Sequence, residues 1–496
     1  MKFYLTTAID YPNAEPHLGH AYEKLLADFL ARYQKQKGND VFYQTGTDEH
    51  GIKIYQTAKT AGLTPLKLVN QNTKKFKAFY KLLNIEYDYF IRTSDKKVHW
   101  QGVQKIWKEL IKSGDLFKKK YKALYCVGCE TFKTGSELED GCCPFHLNKK
   151  LEIIEEENYF FKLSKYKNRL IKLIESDKYH IQPKSAKNEI LSFLKGDVKD
   201  ISFSRLKTKL PWGIPVPNDK DQVIYVWADA LSNYLTGIGY GSNPRKFKKY
   251  WPANVHLIGK DISRFHAIYW PAMLLSAKIP TPEKLLVHGF INDTNGKKMS
   301  KSLGNVIIPQ KQVKKYGTPS LRYYLLRAIP SNQDGNYSEK DLIIRHNTEL
   351  ANTLGNLLSR SLNLIQKSGG KIPSGKFDPK LSKAYSKLLV SLDEHVENFD
   401  FHHGIADIWA FISKVNQYVD DKKPWTLSGK EKDNVLYTLA ESLRLISGLI
   451  YPVIPSKAEE ISKQLGLKSV PKFKSKPIKS GTKIKKGAHL FTKYER

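Results

Sequence analysis

Lys2-Phe3-Tyr4-Leu5-Thr6-Thr7-Ala8, a turn through Asp10-Tyr11-Pro12-Asn13-Ala14-Glu15-Pro16, and then His17-Leu18-Gly19-His20 decide how the chain folds. The first run reads as a short strand. His17 opens an amphipathic helix, marked by Leu18, Ala21, Leu25, Leu26, Phe29, Leu30 and Tyr33 at three- and four-residue spacing. Pro16 sits where a helix start tolerates proline. Two imidazoles three residues apart therefore share one side of a helix's first turn with unbonded backbone N–H groups and the positive dipole end. That is a phosphate site, at the end of a strand, in the crevice where open α/β sheets bind ligands. Gly19 leaves the surface bare enough for a flat purine ring. The competing reading is a pair of ordinary helix-start histidines, since a four-residue match is weak by itself.

Bulk properties bound the rest. A chain of 496 residues, 41% hydrophobic, predicts about three domains with sizeable cores. No apolar run approaches the ~18 residues of a membrane span. The N-terminus goes straight into a strand, and the four cysteines cluster within residues 126–143 instead of forming a secreted disulfide framework. A cytoplasmic protein with no membrane partner is expected. Lys and Arg number 82 against 49 Asp and Glu, a formal charge of +33. Such an excess favours a polyanion through counterion release. A lysine-rich genome gives the same excess, so charge supports a nucleic-acid partner without establishing one.

Residues 1–112 alternate strands and helices. Val41-Phe42-Tyr43-Gln44-Thr45 is a strand with Gly46-Thr47-Asp48-Glu49-His50-Gly51 at its C-terminal end. Asp48 there suits an ammonium group or a helix N-cap equally. Residues 113–222 break the alternation and read as an insert. Cys126-Val127-Gly128-Cys129 and Cys143-Pro144-Phe145-His146 have the spacing of two tight turns that wrap one tetrahedral zinc. With all four ligands from protein (Cys126, Cys129, Cys143 and His146), the zinc is structural, standing in for a core too small to form. Cys142 is an alternative ligand, but only Cys143 keeps the two-residue gap to His146. Residues 223–290 restore the α/β pattern. Trp227, Ala230 and Tyr234 fall on one helical face, as core or as pocket, and His256-Leu257-Ile258-Gly259-Lys260-Asp261-Ile262 ends another strand with groups suited to a ribose. Residues 291–345 form a small linking module. Residues 346–496 are all helical, with a lysine-rich tail over 468–496 expected to pack back through Leu490 and Phe491. No internal repeats appear.

The linking module contains Lys298-Met299-Ser300-Lys301-Ser302, after the turn Asn295-Gly296-Lys297. Together with His17-Leu18-Gly19-His20, in that order and at that separation, it resembles the signatures of class I aminoacyl-tRNA synthetases. Adding the Asp48 and Trp227 motifs, the cysteine pairs, His256–Asp261 and Phe265-His266, nearly the whole chain resembles the methionyl-tRNA synthetases, in a bacterial form with one zinc knuckle.

The resemblance implies a Rossmann-like parallel-sheet catalytic domain split by the zinc-knuckle insert, then a linking module and an α-helical anticodon-binding bundle. It implies activation of methionine by ATP with Mg²⁺, and transfer to the 3′-terminal ribose of tRNA(Met), initiator tRNA included. His17, Gly19, His20, Gly259, Asp261, His288, Lys298 and Lys301 would bind ATP, with His17, His20, Lys298 and Lys301 catalytic. Ala8, Ile9, Tyr11, Asp48, Trp227, Ala230, Tyr234, Ile262 and His266 would bind methionine, and Asn356, Arg360 and Trp425 the anticodon. The attacking group is the substrate carboxylate, so catalysis is electrostatic and needs no protein nucleophile. Lys301→Ala is expected to spare methionine binding while lowering pyrophosphate exchange by orders of magnitude. Leu231 stands where some family members have proline. No added C-terminal module of the kind that dimerises some family members is read in the sequence, so a monomer is expected.

Rival readings are fewer. Branched-chain synthetases need a large editing domain, because a methylene gives only ~10–200-fold discrimination, and this insert is too short for one. The cysteine enzyme places zinc in its amino-acid site, whereas these cysteines lie in the knuckle. A non-catalytic tRNA-binding descendant would not need both the His and the Lys motifs intact.

Overall fold

The opening strand, β1 (Lys2–Thr7), is covered on both faces, with Tyr4, Leu5, Thr6 and Thr7 all fully buried. A strand buried on both faces belongs to the middle of a parallel sheet. The computed structural model describes residues 1–129, 131–133, 138–144, 151–297, 299 and 305–495. Its further strands are β2 (Asp40–Thr47), β3 (Tyr89–Arg92), β4 (Leu116–Cys126), β5 (Thr131–Lys133), β6 (Glu152–Phe161), β7 (His180–Gln182), β8 (Ile201–Ser202), β9 (Ser204–Leu206), β10 (Pro215–Val216), β11 (Asp219–Ile224), β12 (Val255–Gly259), β13 (Lys284–His288), and the short pair β14 (Ile291–Asn292) and β15 (Gly335–Asn336).

Six of them make one parallel sheet in the order β3-β2-β1-β12-β13-β7. From β1 the sheet grows outward through β2 and β3, and from β12 through β13 and β7. The boundary between β1 and β12 is thus a topological switch point, where such sheets open a crevice at their carboxyl ends. The insert forms an antiparallel sheet, β5-β4-β6-β8, and a smaller one, β10-β11-β9. One part of it differs from expectation. Residues 113–222 do not form a continuous insert, because β7 returns to pair with β13 through Ile181 and Leu285. Three residues carry no readable periodicity, so the return left no mark in the pattern.

The first helix, α1 (Leu18–Gln36), crosses the sheet. The helix Pro309–Ala328 is interrupted at Gly317, whose φ of 71° and ψ of 155° restart it at Thr318-Pro319. The C-terminal bundle comprises Asn356–Lys367, Pro379–Glu397, Phe401–Lys422, Gly429–Ile450 and Pro455–Gln464. The tail packs back, burying Phe473, Ile478, Ile484 and Leu490. One apolar core runs from α1 (Leu25, Phe29) through Leu325 into the bundle (Leu362, Ile412, Leu443). A second fills the other face of the sheet with Tyr4, Trp107, Leu170, Tyr234 and Trp270. Each such side chain contributes ~1.5–3 kcal/mol on burial, so sheet and bundle are bound as one body. Among the described residues no helix is long and apolar enough to cross a membrane.

Candidate active site

A cavity of about 520 Å³ opens at the switch point between β1 and β12. One end, where the sequence predicts phosphate binding, is lined by the start of α1. His17 has extended backbone and is the N-cap; its Nδ1 accepts the Gly19 N–H at 3.1 Å. The His17 N–H donates in turn to His20 Nδ1 at 3.1 Å. The pair is a capping box built from two histidines. Because both Nδ1 atoms accept, the ring proton of each neutral imidazole sits on Nε2. Burial, then the charges of His17 and Lys24, hold the His20 imidazole well below its ordinary range. His20 therefore offers a neutral donor. The sequence reading expected unbonded N–H groups here, but that of Gly19 is taken by His17. A Cβ on Gly19 would meet His17 Cε1 at 3.0 Å, so glycine makes room for that ring.

Beneath lies a charge cluster that the sequence did not announce. Lys24, fully buried, donates from Nζ to the Ala8 carbonyl (2.9 Å), to Asp10 Oδ1 (3.0 Å) and to Glu23 Oε1 (2.5 Å). Burial pushes Asp10 up to about 7 against the pull of Lys24. Tyr80 also donates to it. Burial would raise Glu23 too, but Lys24 and His288 outweigh it and hold that carboxyl low. The Asp10 carbonyl accepts the Asp48 N–H at 2.9 Å, which fixes Asp48 at the cavity wall, nearly buried.

The other end of the cavity is aromatic. Trp227 stacks on Phe265 with centroids 3.7 Å apart and planes 6° off parallel. His266 donates from Nδ1 to the Ile262 carbonyl (3.0 Å), so its Nε2 accepts the Tyr234 hydroxyl (2.6 Å). Burial lowers His266 to about 4, leaving it neutral at pH 7. The short helix Val226–Leu231, which carries Trp227 and Ala230, is anchored by Asp229. That carboxylate faces His50 Nδ1 at 2.6 Å and His99 Nε2 at 2.7 Å. Burial would raise Asp229, and His50, then His99, bring it below its usual range.

Every expected ATP and methionine residue within the described set lines this one cavity: Ala8, Ile9, Tyr11, His17, Gly19, His20, Asp48, Trp227, Ala230, Tyr234, Gly259, Asp261, Ile262, His266 and His288. Lys298 and Lys301 lie outside the described residues. Sequence reasoning missed Phe265 as a lining residue, Lys24 as the anchor of the Ala8 carbonyl, and the Asp229 clamp. Phe265 alone had a signal, its spacing next to His266.

The thiols of Cys126, Cys129 and Cys143 converge, all within 4.8 Å of one another, and Cys142 is not among them. An Asp140-Gly141 turn, with φ of 49° and 76°, closes between paired backbone bonds of Glu139 and Cys142 and delivers Cys143. Three convergent thiols suit zinc. His146, the expected fourth ligand, lies outside the described residues. The knuckle also walls the cavity, through Gly128 and Cys129, and Trp227 Nε1 donates to the Cys129 carbonyl at 3.4 Å.

On the bundle, Asn356 is exposed and Arg360 pairs with Asp420 across helices at 2.7 Å. Trp425 follows the left-handed Lys423 and is 57% exposed, so it is not a core side chain.

Paired imidazoles at a helix start, on the switch point of a parallel sheet with a helical bundle behind it, are the architecture of class I aminoacyl-tRNA synthetases. The family profile described as "tRNA synthetases class I (M)" matches residues 3–151 and 145–362, and "Anticodon-binding domain of tRNA ligase" matches 378–489. The chain is 42% identical to the methionine–tRNA ligase of Thermotoga maritima, over 100% of this chain and 81% of that protein. It is also 42% identical to that of Brucella suis, over 99% and 98%. The structure of Mycobacterium tuberculosis methionyl-tRNA synthetase in complex with methionyl-adenylate aligns with a TM-score of 0.93 at 37% identity, covering 99% of each chain. The chain belongs to the methionyl-tRNA synthetase family.

Proposed function

We propose that this cavity makes methionyl-adenylate and passes methionine to tRNA(Met), elongator and initiator alike. The methionine carboxylate attacks the α-phosphorus of ATP, an O–P bond forms, and the bond to the β-phosphate oxygen breaks to release pyrophosphate. The 3′-terminal ribose hydroxyl of the tRNA then attacks the acyl carbon and AMP leaves. The single observation that carries the reading is that the paired-histidine helix start and the Trp227–Phe265 slot open into one cavity.

His17 and His20 donate from Nε2 to the phosphates, Lys298 and Lys301 supply positive charge on the departing pyrophosphate, and Gly259 and Asp261 hold the ribose. Asp48 takes the ammonium group. The thioether fits an unbranched slot and gains sulfur–ring contacts with Trp227 and Tyr234. Mg²⁺ bound with ATP would supply charge neutralisation on the phosphates. Cys126, Cys129, Cys143 and His146 would hold zinc, which would cross-link the knuckle that backs Trp227. Asn356, Arg360 and Trp425 receive splayed anticodon bases. The enzyme acts as a cytoplasmic monomer.

The test is ATP–pyrophosphate exchange with each of the twenty amino acids in turn. Exchange with methionine alone is expected. Exchange with another amino acid, or with none in folded protein, overturns the reading.

A further inference from the structure

The turn between the helices Pro379–Glu397 and Phe401–Lys422 gathers three imidazoles around one carboxylate. Asp400 Oδ1 lies 3.1 Å from His402 Nδ1 and 2.9 Å from His403 Nδ1. Oδ2 lies 3.0 Å from His395 Nδ1, and His395 Nε2 lies 3.4 Å from Asp407 Oδ2. Asp400 is the N-cap of the second helix, where an aspartate ordinarily accepts a first-turn N–H. Its side chain caps nothing. The preceding Phe399 is left-handed, with φ of 54°, a costly state for an aromatic residue. Ser331 holds the turn in place, donating its hydroxyl to the Phe399 carbonyl (2.7 Å) and accepting the Phe401 N–H (3.1 Å). The backbone thus stays in an unfavourable state that hands the carboxylate to the histidines and away from the helix.

We propose that Asp400, His402 and His403 form a second metal site, distinct from the cysteine cluster, for a divalent cation that favours imidazole, with zinc the best match. Two imidazole nitrogens and one carboxylate oxygen are a borderline-soft set that suits zinc and disfavours calcium or magnesium. The candidate donor atoms all lie within 4.8 Å of one another. Donors around a tetrahedral ion bonded at about 2.1 Å sit about 3.4 Å apart. The oxygen–nitrogen separations here need to open only slightly to admit the ion. His403 Nδ1 lies 2.9 Å from both carboxylate oxygens, and His395, which reaches Oδ2 and backs onto Asp407, orients Asp400 for the ion. His403 is 62% exposed and gives the ion a way in, with water as fourth ligand. The site lies where the bundle docks on the catalytic sheet, since Lys37 pairs with Asp393 at 2.6 Å and Lys284 with Glu397. A bound ion would tie that corner.

The test uses untagged full-length protein with its metal content counted after purification. It is titrated with Co²⁺ by visible absorbance and with Zn²⁺ by calorimetry, each to 100-fold excess. One equivalent beyond the cysteine-bound metal is expected, without a thiolate-to-cobalt charge-transfer band. Its affinity should fall at least tenfold in His403→Gln and in Asp400→Asn. His403 is exposed, so an unchanged melting temperature of His403→Gln without added metal separates loss of the site from loss of the fold. A wild-type protein with no further equivalent, or a further equivalent that His403→Gln retains in full, overturns the proposal. So does a charge-transfer band, which places the ion on the cysteines.

Discussion

At the residue scale, Lys24 shows how much of the site rests on a group that never faces the substrate. It lies under the Ala8 carbonyl and between two carboxylates, with no exposed surface. Lys24→Met is expected to cost ~3–5 kcal/mol in urea unfolding, because Asp10 and Glu23 lose their cation in the interior. It should also raise the KM for methionine in pyrophosphate exchange, as the Ala8–Asp10 backbone loosens. On a sequence this lysine reads as one more polar position on an amphipathic helix, and only the sheet topology places Ala8 above it. His266 supports a prediction of a different kind. Its folded value of about 4 lies below the ordinary 6.5 of histidine. As pH falls, the unfolded chain takes up the proton first. The stabilisation from a neutral His266 is therefore complete above pH 6.5 and lost on the way down to about 4, a loss of about 3 kcal/mol. Unfolding free energies at pH 7, 5.5 and 4.5 should decline less steeply in His266→Gln than in the wild type.

At the scale of elements, the start of α1 joins two tasks that mutation can separate. Nδ1 of His20 caps the helix, and its Nε2–H is the group proposed to meet the substrate phosphates. His20→Leu loses both, and is expected to cost ~0.5–2 kcal/mol of stability and 10²–10³-fold in exchange. His20→Gln keeps the reach-back cap that glutamine makes at this position. It should recover the stability while most of the activity stays lost. Equal recovery of both would mean that the histidine acts only as a cap. The apolar stripe of α1 was legible from Leu18 to Tyr33, but its polar face was not. Asp28 and Arg32 are buried there, and Arg322 donates to Asp28 at 2.6 Å. Periodicity locates an apolar side and cannot say that the polar side is also covered by partners distant in sequence. The same holds for β7, a three-residue strand recognisable only by its partner, whereas β1, β2, β12 and β13 carried enough apolar run to be read directly. Phe265 was quoted in a motif, yet its stacking on Trp227 depends on two helices that only the fold brings together.

At the scale of the molecule, chemistry and recognition sit at opposite ends of one continuous core. Arg322 shows the linkage in a single side chain, reaching the Leu83 carbonyl at 2.8 Å on the catalytic side and the Val453 carbonyl at 2.9 Å in the bundle. An exposed residue far from the cavity can then alter charging without altering activation. Trp425 is the residue proposed for this role, an aromatic ring 57% exposed beside Lys422 and Lys423. An exposed tryptophan contributes little to folding, so Trp425→Ala should unfold within ~0.5 kcal/mol of the wild type. Stacking of one base on an aromatic ring is worth ~1–3 kcal/mol, which converts to roughly a 5–150-fold loss at tenfold per 1.4 kcal/mol. The expected result is a KM for tRNA raised by that factor in aminoacylation, with methionine-dependent pyrophosphate exchange unchanged. An exchange rate that falls in parallel would place the effect in the cavity. Charging at the wild-type KM would move anticodon reading away from this loop, towards Asn356 and Arg360 on the neighbouring helix.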